Sequence, residues 1–210
     1  SSQLQPLGNI TLNGQLKGLF NNANFLGKID TNIGSATIDL DYTKPNNSKA
    51  IQLNGDIIAK EVNLSKLINN AKVGTTTGNL DFNILLNGKK IIGTIDGAIA
   101  HFDFNNYRFN NITANASINN DDIKGTIEID DPNVQLSISG TGNINKDNPM
   151  IDLHADIPMI AFDKINLSKK QTNLSATIDA NVIGFNPDKA NGYINISNIR
   201  FNNRPDKDLF

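Results

Sequence analysis

The chain has 210 residues, 22.8 kDa, a net charge of -2 from 19 basic and 21 acidic residues, and 38% apolar residues with no Trp. No Lys or Arg stripe follows a strand or helix pattern, which argues against a phosphate-backbone partner; no nucleic acid is expected. With no Cys there are no disulfides and no thiolate chemistry, although this does not choose a compartment.

From the first residues onward the chain reads as short strands. Apolar and polar residues alternate with period two, as in Ile38-Asp39-Leu40-Asp41-Tyr42, Thr126-Ile127-Glu128-Ile129-Asp130 and Ile151-Asp152-Leu153-His154-Ala155-Asp156-Ile157. Such alternation gives a strand one apolar and one polar face. The first strands are expected near 10–16, 24–30, 35–42 and 51–59. Between them, Lys44-Pro45-Asn46-Asn47-Ser48 has turn chemistry. Val62–Asn70 fits a short helix better, with Ser65 as its cap and Leu67 and Ile68 packed inward.

Strands resume near 78–86, 91–100, 100–104, 107–119, 123–130, 134–139, 151–157, 173–183 and 192–201. Breaks are expected at Asp131-Pro132-Asn133, Lys146-Asp147-Asn148-Pro149 and Asn186-Pro187-Asp188. Asn makes up roughly one residue in six. Asn and Gly tolerate positive φ, so a chain of this composition can reverse direction often. Weak repeats link Asn63-Leu64-Ser65-Lys66 with Asn166-Leu167-Ser168-Lys169, Asn79-Leu80 with Asn173-Leu174, and Arg108-Phe109-Asn110 with Arg200-Phe201-Asn202. They suggest one elongated domain over 1–210, built of roughly two similar multi-strand modules.

The alternation also sorts side chains by face. Ile112, Ala114, Ala116 and Ile118 share one side of a strand, against Thr113, Asn115 and Ser117. Ala98, Ala100, Phe102 and Phe104 are read as a second apolar face, with Ile99, His101, Asp103 and Asn105 opposite. Ile178, Ala180 and Val182 repeat the scheme. An apolar sheet face must meet another layer, close into a barrel, or bend around something apolar. Alternation does not choose among a filled sandwich, a barrel and a bent sheet.

Catalytic signals are weak, and no enzyme is expected. His101 and His154 are the only histidines, and each sits on a polar phase beside Asp residues. Two distant histidines do not make a zinc site. The pairs Asp39-Asp41, Asp121-Asp122 and Asp130-Asp131 lack the spacing of a calcium loop. Neither a GxSxG elbow nor a phosphate-binding glycine loop is present. No metal and no cofactor is expected, nor any eighteen-residue apolar run in the sequence.

Three stretches carry a family resemblance. They are Gly97–Phe104 running into Tyr107–Ala116, Ile123–Gly140 with its DPNVQLSISG block, and Ile157–Leu167 with its NLS block. Together they resemble the repeat region of AsmA-like proteins, especially the TamB-type translocation and assembly module proteins. The Asn, Ile and Lys bias is similar to Bacteroidota members, and the chain is similar to a middle fragment. The resemblance implies an all-β, elongated antiparallel sheet curved into a U-shaped β-taco trough with an apolar interior and at most one short helix. It implies a segment of a periplasmic, inner-membrane-anchored conduit moving phospholipids between inner and outer membranes. The alternative it implies is a scaffold for assembly or translocation of outer-membrane or secreted β-proteins. Its partners would be phospholipid acyl chains and an outer-membrane barrel assembly protein. The groove lining would be Phe102, Phe104, Tyr107, Phe109, Ile112, Ala114, Ala116, Ile118, Ile127, Ile129, Leu136, Ile138, Ile151, Leu153, Ile157, Ile178, Ala180 and Val182.

Overall fold

The computed structural model describes residues 2–145, 149–184 and 190–203. The expected breaks at 146–148 and 186–188 lie outside the described residues, while Pro149 lies within them. A 3-10 turn over Ser2–Leu7 leads into twelve strands. These are β1 Thr11–Leu19, β2 Asn22–Thr31, β3 Gly34–Thr43 and β4 Ala50–Asn63. After the helix α1 Leu64–Ile68 come β5 Val73–Asn87, β6 Lys90–Phe104, β7 Tyr107–Asn119 and β8 Asp122–Asp131. The last are β9 Val134–Asn143, β10 Met150–Ala161, β11 Thr172–Ile183 and β12 Asn191–Asn203.

All twelve strands form one sheet in sequence order, each antiparallel to the next. The turns explain the Asn content. Nine non-Gly residues among those described have positive φ, and all but Glu61 are Asn. Asn105 and Asn106, at φ 51 and 62, form the two-residue link from β6 to β7. Positive φ at both positions matches the right-handed twist of the flanking strands. Gly192, the second residue of β12, has φ 139, and an added Cβ there would lie 1.9 Å from the Asn181 carbonyl oxygen, so only glycine fits.

The sheet is elongated and antiparallel, as expected, but it is not curled or closed into a U-shaped trough. β1 and β12 are both unpaired edges. Among the described residues each strand makes its substantial contacts with its sequence neighbours. The expected β-taco is therefore corrected to a single open layer. Alternation settles which residues share a face, but strand-to-strand twist and bend are set by backbone geometry that the period does not encode.

Three local expectations also change. The strands expected near 91–100 and 100–104 are one strand, β6. Asn63, not Ser65, caps α1, its side chain accepting from the Ser65 N–H. Leu67 and Ile68 are exposed rather than packed inward, at 43% and 59%. The two NLS segments occupy related places: the first runs from the end of β4 into α1, and the second lies in the β10–β11 connection.

Deep burial is confined to a few positions. Ile33, Val73, Val134, Ala161 and Ile165 are buried, all at the end of the sheet where even-numbered strands finish. Asp131, 1% exposed, closes β8 there. Its carboxylate accepts from the Tyr107 hydroxyl, from the Asn110 N–H at 3.0 Å and Nδ2 at 3.1 Å, and from the Asn133 N–H at 2.9 Å. Burial acts to raise its pKa, but the bonds from Tyr107, Asn133 and Asn110 together outweigh it and hold the carboxyl below its ordinary value. The β10–β11 connection then reaches the β6–β7 turn. Asn105 Nδ2 donates to the Asn166 carbonyl at 2.8 Å, and Asn166 Nδ2 donates to the Asn105 and Asn106 carbonyls at 3.1 Å.

Asp131→Ala strands a phenol and two backbone donors at once. We expect a loss of about 3 kcal/mol and a fall in Tm on the order of 6–12 °C by calorimetry. In the native chain this stabilisation is complete above the unfolded carboxyl pKa of about 3.9 and is lost as pH falls through the lower folded value.

Candidate functional site: the apolar face of the sheet

Register places one polarity on each side. Following the paired residues from strand to strand, one row runs Gly14, Gly27, Ile38, Ile57, Leu80, Gly97, Ala114, Ile127, Ile138, Ala155, Ile178 and Ile196. The next row on the same side runs Leu16, Phe25, Leu40, Gly55, Phe82, Ile95, Ala116, Gly125, Gly140, Leu153, Ala180 and Ile194. A third crosses from Gly18 through Tyr42, Ile84, Ile118, Ile123, Ile151 and Val182 to Gly192. A fourth, from Leu12 through Ile99, Ile112 and Ile129, reaches Leu136 and stops at a bulge between Asp156 and Met159. The Tyr42 hydroxyl is the one polar side-chain group in these rows, and none of them carries a charge.

Small and large residues are distributed unevenly. Bulky Phe25, Leu40, Phe82 and Ile95 stand on β2 to β6, whereas Ala116, Gly125 and Gly140 follow on β7 to β9 in the same row. The small residues floor a shallow dish of about 1070 Å³, open to solvent on its outer side. At its rim Leu80 is 37% and Ile127 44% exposed. The face therefore remains uncovered in mid-sheet as well as at the edges, where Leu16 is 74% and Ile194 65% exposed.

The residues singled out in the sequence fall on this face with one exception in phase. Ile112, Ala114, Ala116, Ile118, Ile127, Ile129, Leu136, Ile138, Ile151, Leu153, Ile178, Ala180 and Val182 belong to the four rows, and Ile157 pairs Ala176 next to them. Phe102 pairs Phe109 and Phe104 pairs Tyr107. They form an aromatic corner, with ring centroids 6.4 Å apart for Phe102–Phe104 and 4.8 Å for Tyr107–Phe109. The exception is Ala98 and Ala100. Ala98 pairs Asn79 and Thr113 on the polar side, and Ile99 takes the apolar side. A register shift between Thr77 and Gly78, opposite His101 and Ile99, reverses the phase partway along β6. The sequence reading missed Ile38, Ile57, Leu80, Phe82 and Ile95 as members of the face, although each lies in an alternating run.

The opposite face is polar. Asp39, Asp56, Asp81 and Asp96 sit side by side on β3 to β6. Asn24 donates to Asp39 at 3.1 Å and to Asp41 at 3.0 Å. Further on, His154 Nδ1 lies 2.6 Å from Asp179 and its Nε2 3.2 Å from Asp156. Bonding to Asp179 first, and to Asp156 second, raises the His154 pKa against a small opposing effect of burial. His101 Nε2 is buried 3.1 Å from Glu61 Oε1 but makes no aligned hydrogen bond. Arg108 clasps Asp103 through Nε at 2.7 Å and Nη2 at 2.9 Å. With Thr75, these bonds hold the Asp103 carboxyl down to about 2, against burial. Among the described residues no group of three or more His, Asp or Glu could hold a metal ion.

No family model, no curated protein and no solved structure matches this chain. The AsmA-like and TamB-type resemblance therefore rests on the quoted stretches alone. What the resemblance implied about a lipid conduit or a membrane-anchored scaffold is overturned by the geometry. The apolar face is an open surface rather than an enclosing groove, and no helix among the described residues is long and apolar enough to cross a membrane.

Two outcomes follow for the polar side. Asp56 has a carboxylate on each neighbouring strand, so Asp56→Asn relieves like-charge repulsion. It raises stability by about 0.5 kcal/mol at low salt, with a smaller gain at high salt in denaturant titrations. For His154, an NMR titration gives a midpoint above the ordinary value of about 6.5, and Asp179→Asn moves it down. The ion pair adds stability below that unfolded value and loses it as pH rises through the raised folded one.

Proposed function

We propose that the chain is a non-catalytic protein-docking module that works through its apolar sheet face. The observation that carries this reading is the continuity of the uncharged rows, three crossing all twelve strands and one crossing nine, on a side that no layer covers among the described residues. An amphipathic sheet is stable in water when its apolar face meets another element. Monomeric soluble proteins rarely leave more than a few hundred Å² of contiguous apolar surface open, and larger patches mark interaction sites. The opposite face, with its Asp row and Asn–Asp hydrogen bonds, is built for solvent and supplies solubility.

The partner's contact surface is apolar and layer-like. A dish floored by Ala and Gly offers close backbone approach but no hydrogen-bond donor or charge with which to orient a small polar ligand. Recognition on such a surface comes from shape and buried area.

Photocrosslinking side chains placed at Leu80 and Ile127, on the apolar face, and at Asp81 and Ser139, on the polar face, test this reading in the cell that makes the protein. Protein adducts are expected repeatedly from the first pair and not from the second. Equal labelling from both faces, or none from the apolar one, would falsify the reading.

A further inference from the structure

Resting on that docking reading, we infer that the partner is a second copy of this chain, stacked face to face about a two-fold axis parallel to the strands and midway between β6 and β7. Three observations support it.

The first is area. The chain exposes 14380 Å², whereas a compact chain of its mass exposes about 9600 Å², an excess of about 4800 Å². The apolar face measures roughly 58 Å across twelve strands and 20 Å along four rows, so stacking two copies removes on the order of 2400 Å² from water. That is the size of obligate dimer interfaces, from about 2000 Å² upward.

The second is charge. Four rows without a charged side chain meet their own copy without burying an ion. A charged partner would lose hydration with nothing on this face to compensate it.

The third is shape. A two-fold axis along the strands preserves position along a strand while exchanging β5 with β8, β6 with β7 and β3 with β10. It sets Phe82 over the partner's Gly125, Ile95 over the partner's Ala116, and Ile38 over the partner's Ala155. At these three places a bulky side chain meets a small one, whereas Leu80 meets the partner's Ile127 and Gly55 the partner's Gly140, and the axis makes every contact occur twice, as an isologous interface requires. Twisted sheets stack this way at about 10 Å with strands within about 30°.

The test uses the 210-residue chain. Sedimentation equilibrium at tens of micromolar is expected to give twice 22.8 kDa, and a monomer would overturn the inference. Because the chain has no Cys, Ile57→Cys/Ile138→Cys gives a clean probe. These positions lie five strands apart in one sheet, about 24 Å, but face each other across the dimer. Because facing backbones lie about 10 Å apart, beyond the reach of a disulfide, a short bismaleimide crosslinker of about 8 Å is used, and it is expected to yield a covalent dimer. A bridge within one chain would mean that the sheet folds on itself, and that result, or no bridge, would overturn the inference. A control, Lys17→Cys/Asn195→Cys, places both thiols on the polar side of the two edge strands, which stacking points away from the partner, so efficient dimer bridging there would mean edge pairing instead of stacking. Ile127→Asp buries two unpaired carboxylates per dimer and should weaken association at least about a hundredfold with the strand signal in circular dichroism unchanged. If that variant loses its sheet, the crosslinking result decides. A monomer whose apolar-face crosslinkers still capture another protein would remove only this inference; a face that captures nothing would remove the docking reading too.

Discussion

Register between neighbouring strands is the constraint on which the rest of this structure depends. Side chains alternate with period two, so a slip of one residue in any ladder would carry a whole strand's apolar set to the wrong side. Eleven antiparallel ladders keep three uncharged rows unbroken across all twelve strands, and the register shifts in five of the ladders lie toward the end where even-numbered strands finish. Short links set the phase. Asn105-Asn106 joins β6 to β7 with positive φ at both residues, which leaves no slack for the next strand to shift.

The same arrangement explains why burial is sparse. A single layer has no facing layer, so a side chain is shielded only by its row neighbours and those beside them. Ala155 and Ala180 are buried because they are short and stand between larger partners, Ile138 with Ile178 and Leu153 with Ile194. Larger residues such as Leu80 and Ile127 stand up from the sheet and stay half exposed. Stability is then close to a sum of strand-to-strand terms, as in a repeat protein, with few contacts of long reach. The exceptions gather at one end, where Asn166 ties the β10–β11 connection back to the β6–β7 turn. Those contacts give longer reach to a meander whose described strands meet mainly their nearest neighbours.

The polar face carries tension of its own. Four carboxylates on successive strands repel, and no cation stands in that row between them. Asn24 offsets part of this by donating to Asp39 and Asp41. The cost is small for any one pair in water, because exposed charges are screened. On one side, then, solvent compensates the arrangement. On the other, solvent is what the residues exclude, and the difference makes the apolar side the place where a partner gains most.

The sequence by itself determined the class of fold, most of the strands and most membership of the apolar face. Ile112, Ala114, Ala116 and Ile118 read correctly because alternation survives wherever the ladder is regular. It failed at Ala98 and Ala100, where a register shift in β6 exchanges the faces, and a shift of that kind leaves no mark in a period-two pattern. Asn63 displaced Ser65 as the helix cap because both residues can accept a backbone N–H and only the local φ and ψ choose between them. Whether the sheet bends, closes or stays open was decided by tertiary structure alone. Twist and curvature come from the sum of small backbone rotations over twelve strands, and side-chain polarity is the same whichever way that sum falls.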